Sequence, residues 1–278
     1  MQGYRAPLFG NLTPVIKNLL IINIVVFLID SLWTNSALFN ITDCFDLHNF
    51  QSEKFKPIQL VTYMFMHGGI SHIFFNMFAL VMFGRILEQV WGGKRFLVYY
   101  FVTGIGAALC QLAVAYISLS GLQAEITAFT NTPDPDLLMR IVRSHLDHPA
   151  DWVNDFLIDY SSNSDNQAYT QQAIQLVNQI FKLHVDTPTV GASGAVFGVL
   201  LAFGVMFPNV QLMLLFPPIP IRAKWFVLGY GLIELMAVIV PQAGDNVAHF
   251  AHLGGMIFGF LLIRYWNKKG GNAEWNGY

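Results

Sequence analysis

Apolar residues run through this chain in long blocks divided by short polar stretches. A helix needs about 20 apolar residues to cross ~30 Å of hydrocarbon. Six blocks approach that length: Asn18–Phe39, Ile70–Trp91, Phe96–Leu119, Gly191–Phe207, Trp225–Pro241 and Val247–Trp266. The pattern predicts an all-α membrane protein with six spanning helices. The fourth block is short: from Gly191 to Pro208 it supplies only ~25 Å, so its leading end is expected to start inside the membrane. Non-helical backbone at that depth is tolerated where it is buried in protein or lines a water-filled cavity. An aqueous pocket open to one side is therefore implied.

The connections differ in kind. The stretch 40–69 mixes Asp43, Asp46 and Glu53 with aromatic residues, and the stretch 120–189 is long and acidic. In the latter, Leu137, Leu138, Ile141 and Val142, then Trp152, Val153, Phe156 and Leu157, then Ile174, Val177 and Phe181 recur at helical spacing. They predict amphipathic helices on the membrane surface or on the outer ends of the bundle, with a polar break over Ser161–Gln167. Residues 1–278 thus read as one membrane domain, with 120–189 as an extramembrane insertion between the third and fourth helices.

Composition agrees with this. Of 278 residues, 54% are hydrophobic and 12% charged, and the mean hydropathy of +0.48 exceeds that of a soluble domain of this length. A net charge of -2 with no polybasic tract argues against nucleic acid as a partner. Cys44 and Cys110 have no metal-ligand or redox spacing and read as packing residues. The first apolar block lacks a small-residue cleavage site and reads as a retained span. Arg5 and Lys17 precede it, Lys94 and Arg95 follow the second block, Arg222 and Lys224 precede the fifth, and Lys268 and Lys269 follow the last. By the positive-inside rule both termini are expected in the cytoplasm, with 40–69 and 120–189 outside.

Ionisable and polar groups inside spans cost several kcal/mol unless partnered, which makes each a functional candidate. The second block carries His67, Ser71, His72 and Asn76, the fourth opens Gly191-Ala192-Ser193-Gly194, and the sixth holds His249 and His252. All three blocks start at the same face, so these groups share one depth. Asn76 and His252 lie ~9 Å below their helix starts, and the sunken fourth helix brings Ser193 to that level.

A serine hydroxyl needs a positioned base, and imidazole is the usual one. No Asp or Glu is found near Ser193 and His252 at the same inferred depth, so a dyad is expected rather than a triad. The Ser193 amide at a helix start can donate to a developing oxyanion, and Gly191 and Gly194 permit close approach of a substrate backbone. His72 and Asn76, at i and i+4, share a helix face and can add donors. His67 is expected to tie down the outer connection.

Plainer explanations exist for each group. Gly194 and Gly198, like Gly255 and Gly259, have close-packing spacing, and a lone intramembrane histidine can bond a neighbouring carbonyl; His249 is assigned that structural role. What favours catalysis is coincidence at one depth on three helices. His249 and His252 form an i, i+3 pair, but His-Glu-x-x-His and acidic ligands at that depth are missing. No metal or other cofactor is expected.

His67-x4-His72-x3-Asn76, Gly191-Ala192-Ser193-Gly194 and Ala251-His252-x2-Gly255-x3-Gly259 together resemble the rhomboid intramembrane serine proteases, in a form similar to bacterial members. The resemblance covers the six-helix core and extends to Phe207-Pro208-Asn209 and Pro217-Pro218-Ile219-Pro220. It implies an endopeptidase that hydrolyses transmembrane protein substrates near the outer ends of their helices. Ser193 and His252 would be the dyad, His72 and Asn76 would join the Ser193 amide in the oxyanion hole, and His67 would be structural. It also implies an integral multi-pass protein of the bacterial cytoplasmic (inner) membrane, partnered by the lipid bilayer and without a cofactor. Two features depart from it: the length of 120–189, and Phe197 where a histidine-stacking tyrosine is familiar. The other classes weighed are a non-catalytic rhomboid-like factor that binds or escorts membrane helices, and a metal- or haem-binding transporter or electron carrier. Oligomeric state is not legible.

Overall fold

A computed structural model describes residues 12–33, 41–213, 218–240 and 247–269. Arg5, Phe39, Pro217 and Pro241, which entered the sequence expectations, lie outside the described residues. Described residues are predominantly helical. Among the described residues, three helices are long and apolar enough to cross a membrane: α1 (Pro14–Trp33), the helix Ile70–Trp91, and α6 (Gly93–Asn131). Ile70–Trp91 comprises α4 (Ile70–Ala79) and α5 (Arg85–Trp91) joined by a π-helical turn over Leu80–Gly84. Short helices α2 (Ile41–Phe45) and α3 (Gln59–Thr62) lie in the first connection. Helices α7 (Pro135–His145), α8 (Asp151–Ser162) and α9 (Gln167–Asp186) follow α6. Then come α10 (Ser193–Met206), a hairpin of β1 (Gln211–Met213) and β2 (Pro220–Arg222), α11 (Ala223–Ile239) and α12 (His249–Lys269).

The expected blocks shift at their ends. The first helix starts at Pro14 rather than Asn18, because Glu88 of α5 accepts from the Val15 and Ile16 amides at 2.9 Å each and from the Thr13 hydroxyl. A carboxylate there satisfies orphan amides and meets the positive end of the helix dipole. The fourth helix starts at Ser193 rather than Gly191, and at 14 residues spans only ~21 Å. The sixth starts at His249 rather than Val247, which leaves His252 ~5 Å from its start rather than ~9 Å.

The larger difference is α6. It runs 39 residues, ~58 Å, well past the expected end at Leu119. Its far end gives Leu122, Ile126 and Phe129 to a second apolar core completed by Leu138, Val142 and Val177 of α7 and α9. The amphipathic helices expected in the 120–189 stretch are present, and their apolar faces meet one another and the far end of α6 in a helical body with its own interior.

In the main bundle α10 is hydrophobic on every side and buried among α4, α6, α11 and α12, as such a helix must be. α1 and α11 instead expose apolar side chains, among them Ile22, Leu28, Leu232 and Ile233, which suits contact with lipid. At the end where α5, α11 and α12 meet the start of α6, Arg95 lies 4.3 Å from the Trp266 ring, Lys224 5.4 Å from Trp225 and Lys269 5.1 Å from Tyr265. Basic and aromatic residues collect in this way at a membrane interface. The starts of α4, α10 and α12 lie at the opposite end.

Candidate active site

The approach to α10 is held extended before the helix begins. Leu47 and Thr189 exchange backbone hydrogen bonds, and the Gly191 amide donates to Tyr63 O at 2.9 Å. Ser52 Oγ donates to Asp186 Oδ1 at 2.7 Å, pinning the first connection to the end of α9. That connection is itself organised by buried Gln59, whose Nε2 donates to Lys54 O at 2.9 Å while its Oε1 accepts from the Lys56 amide at 3.1 Å. Asp46, in the same connection, is buried beside the charges of Asp30 and Asp43, and its carboxyl is pushed up to about 7, chiefly by burial.

Gly191 then turns with φ +122°, a conformation that L side chains rarely adopt. A Cβ there would also lie 2.7 Å from His72 Cε1 and Nε2. The same point is 3.6 Å from Ser193 Oγ, so the His72 ring and the serine hydroxyl face each other across Gly191. Ser193 opens the helix, and its amide is among those with no intrahelical acceptor.

Ser193 Oγ lies 2.8 Å from His252 Nε2. Phe197 stacks on the imidazole at 4.2 Å between centroids and 8° between planes, so a phenyl ring fills the stacking position without a hydroxyl. His67 meets His72 edge-on at 5.1 Å, and its Nδ1 lies 3.3 Å from Phe65 O. Asn76 is buried, and its Nδ2 donates to His72 O at 2.9 Å, back along its own helix.

Three expectations need correction. Gly194 does not line an open approach: a Cβ there would run into Ala107 of α6 and come within 3.4 Å of Ala251 O. Gly255, in turn, faces the Gly194 carbonyl so closely that a Cβ would overlap it. Both glycines let α10 and α12 touch backbone to backbone, and Gly259 does the same against the Tyr99 hydroxyl. Second, an acid does reach the site. Glu234, buried in α11, places Oε2 2.9 Å from His252 Nδ1. That approach lies off the N–H direction, so it is an ion-pair distance rather than a formed hydrogen bond. Third, His249 is not merely bonded to a backbone carbonyl: its Nδ1 lies 2.6 Å from the same Glu234 oxygen. The ligand atoms of Glu234, His249 and His252 fall within 4.8 Å of one another, so the acidic ligand thought missing is present. An ionisable residue inside an apolar helix was the signal that marked Glu234.

A half-buried serine, a buried imidazole at hydrogen-bonding distance and a buried carboxylate beyond it lie together at one end of an apolar helical bundle. The rhomboid domain pattern matches residues 54–127 and 168–268, and the chain belongs to the rhomboid family. Residues between those matched segments include most of the second helical body. RHOMBOID-like protein 6, mitochondrial, of Arabidopsis thaliana is 36% identical over 62 residues, 22% of this chain and 20% of that protein. Rhomboid protein 1, mitochondrial, of Saccharomyces cerevisiae is 30% identical over 96 residues, 32% of this chain and 25% of that protein. The chain thus aligns with a quarter or less of the length of these curated relatives. Both relatives carry mitochondrial names, and neither supports the bacterial inner membrane expected from the sequence. Rhomboid proteins are generally intramembrane proteases that act on membrane-protein substrates within the bilayer.

Proposed function

We propose that the chain is an intramembrane serine endopeptidase that cuts transmembrane protein substrates at peptide bonds in or near their spanning segments. The observation that carries this reading is the 2.8 Å contact between Ser193 Oγ and His252 Nε2 at the start of the buried apolar helix α10. In this reading α1, α4 with α5, α6, α10, α11 and α12 are six spans. The end bearing Arg95, Lys224 and Lys269 faces the cytoplasm or its topological equivalent, and the Ser193 end faces outward with the second helical body.

Ser193 Oγ attacks the scissile carbonyl carbon while its proton passes to His252 Nε2, and the carbonyl π pair moves onto oxygen. The resulting oxyanion is met by the free Ser193 amide and by His72, which lies across Gly191 from the hydroxyl. Asn76 holds the His72 turn and reaches the oxyanion only after its amide leaves His72 O. Collapse expels the amine, which takes the proton from His252, and water then hydrolyses the acyl-enzyme by the same steps in reverse roles. No cofactor takes part.

The test is cleavage of a reporter transmembrane substrate by purified protein in liposomes. Ser193→Ala and His252→Ala are each expected to abolish cleavage, Ser193→Ala with an unchanged thermal midpoint; a non-catalytic binder would bind the reporter equally with or without these side chains and release no product. Retained cleavage in either variant overturns the reading.

A further inference from the structure

Glu234 sits in an unusual place. Its neighbours Leu232, Ile233, Leu235 and Met236 are 43–63% exposed on an apolar helix, yet Glu234 itself is 7% exposed and faces inward. A carboxylate buried in a spanning helix is expensive unless it is partnered. Here two imidazoles partner it through one oxygen: His249 Nδ1 at 2.6 Å and His252 Nδ1 at 2.9 Å.

The two nitrogens of His252 consequently have different neighbours. Nε2 meets the Ser193 hydroxyl and Nδ1 meets a carboxylate. A carboxylate at Nδ1 favours a proton there, which leaves the Nε2 lone pair free to accept from serine. Phe197 fixes the plane of the ring from one face. The groups facing His252 are Ser193 from α10, Glu234 from α11, His249 from its own helix and, farther away, His72 from α4, whose positive charge would oppose that of His252.

We infer that Glu234 is a positioning residue for His252, held in place by His249, so that the proposed pair works as a chain Ser193–His252–Glu234–His249. This rests on the Ser193–His252 reading above. As the serine proton reaches Nε2, the ring becomes an imidazolium whose Nδ1–H turns onto the carboxylate already waiting beside it. Glu234 stays ionised throughout: the proton goes from Ser193 to His252 and on to the leaving amine, and none passes to Glu234. His249 bonds the carboxylate in the resting state and keeps it from turning toward lipid.

The test uses purified full-length protein in liposomes, with wild type and Ser193→Ala measured first. Cleavage by Ser193→Ala would sink the underlying reading, whatever Glu234 does. Given an inactive Ser193→Ala, Glu234→Gln is expected to lower kcat by roughly 10- to 1000-fold with KM within about twofold, less than the ~10⁴ that loss of a triad carboxylate can cost. Labelling of Ser193 by a fluorophosphonate should slow by a similar factor, and Glu234→Asp should recover part of the lost kcat. In 15N-histidine-labelled wild type, neutral His252 is expected as the Nδ1–H tautomer, a readout that needs no variant to fold. The inference is overturned by an Nε2–H tautomer, by kcat in Glu234→Gln within about twofold of wild type, or by a loss that falls on KM alone. It is equally overturned if a chelator abolishes wild-type cleavage, which would make Glu234, His249 and His252 a metal site instead.

Discussion

The two apolar interiors of this chain are built differently. The second body, formed by the far end of α6 with α7 to α9, encloses Leu122, Phe129, Leu138, Val142 and Val177, together with the buried Tyr160 hydroxyl. The bundle around α10 buries His252, Glu234, Asn76, His67, Arg85 and Glu88 among its apolar side chains. Burial of apolar surface is enough to hold the second body together. The bundle around α10 carries groups that burial alone penalises, and they are retained where they find partners: Glu88 at the amides of α1, Glu234 at two histidines, His252 at Ser193. Buried ionisable groups are thus concentrated in the interior that is costlier to build.

Substitutions should separate the two interiors. The largest effect is expected from Ser193→Ala or His252→Ala, which should reduce reporter cleavage by at least about 1000-fold, Ser193→Ala with an unchanged thermal midpoint. Next comes Gly255→Ala. Its methyl would meet the Gly194 carbonyl, push α12 from α10 and lengthen the Ser193–His252 contact, so kcat should fall by about 100-fold. The thermal midpoint should fall with it.

Phe129→Ala removes a fully buried ring from the second body and should cost about 3–5 kcal/mol of local stability, read as faster hydrogen exchange in α7 to α9. Cleavage by that variant should stay within about twofold of wild type; a larger loss would mean that the two interiors are coupled. At Asp46 the expected effect is on stability and depends on pH. Its folded carboxyl titrates near 7 against an ordinary 3.8, so the native state favours the protonated form. Its stabilising contribution is present at low pH and is lost as pH rises through about 7. Asp46→Asn, which mimics the protonated form, should raise the thermal midpoint at about pH 8 and leave it nearly unchanged at about pH 4.

Much of this layout could be read from residue order. Each apolar block overlaps an observed helix, three of them long enough to span, and the opening of the short fourth block falls at the start of α10. Comparing depths across the blocks that start at one face brought His252 to it. The same comparison missed Glu234 because α11 runs the opposite way, so its site-facing end is its last turn rather than its first. Counted back from Ile239, Glu234 lies ~8 Å from that end, at the level of Asn76. Gly194 was misread because glycines that admit a substrate and glycines that admit a neighbouring helix have the same spacing, and only the opposing Ala107 and Gly255 tell them apart. The shared interior of the second body is not legible in its sequence, because apolar stripes at helical spacing look alike whether they face lipid, the bundle or one another. What distinguishes them is the continuation of α6 to Asn131, which the polar Ser118 and Ser120 obscured.

The most direct test of the central claim is a covalent one. Protein in liposomes is treated with a fluorophosphonate, digested, and the adduct mapped by mass spectrometry. A single adduct on Ser193, lost in His252→Ala and suppressed by excess transmembrane substrate, is the predicted result. No adduct on Ser193 in folded protein, or labelling that persists without His252, would contradict it.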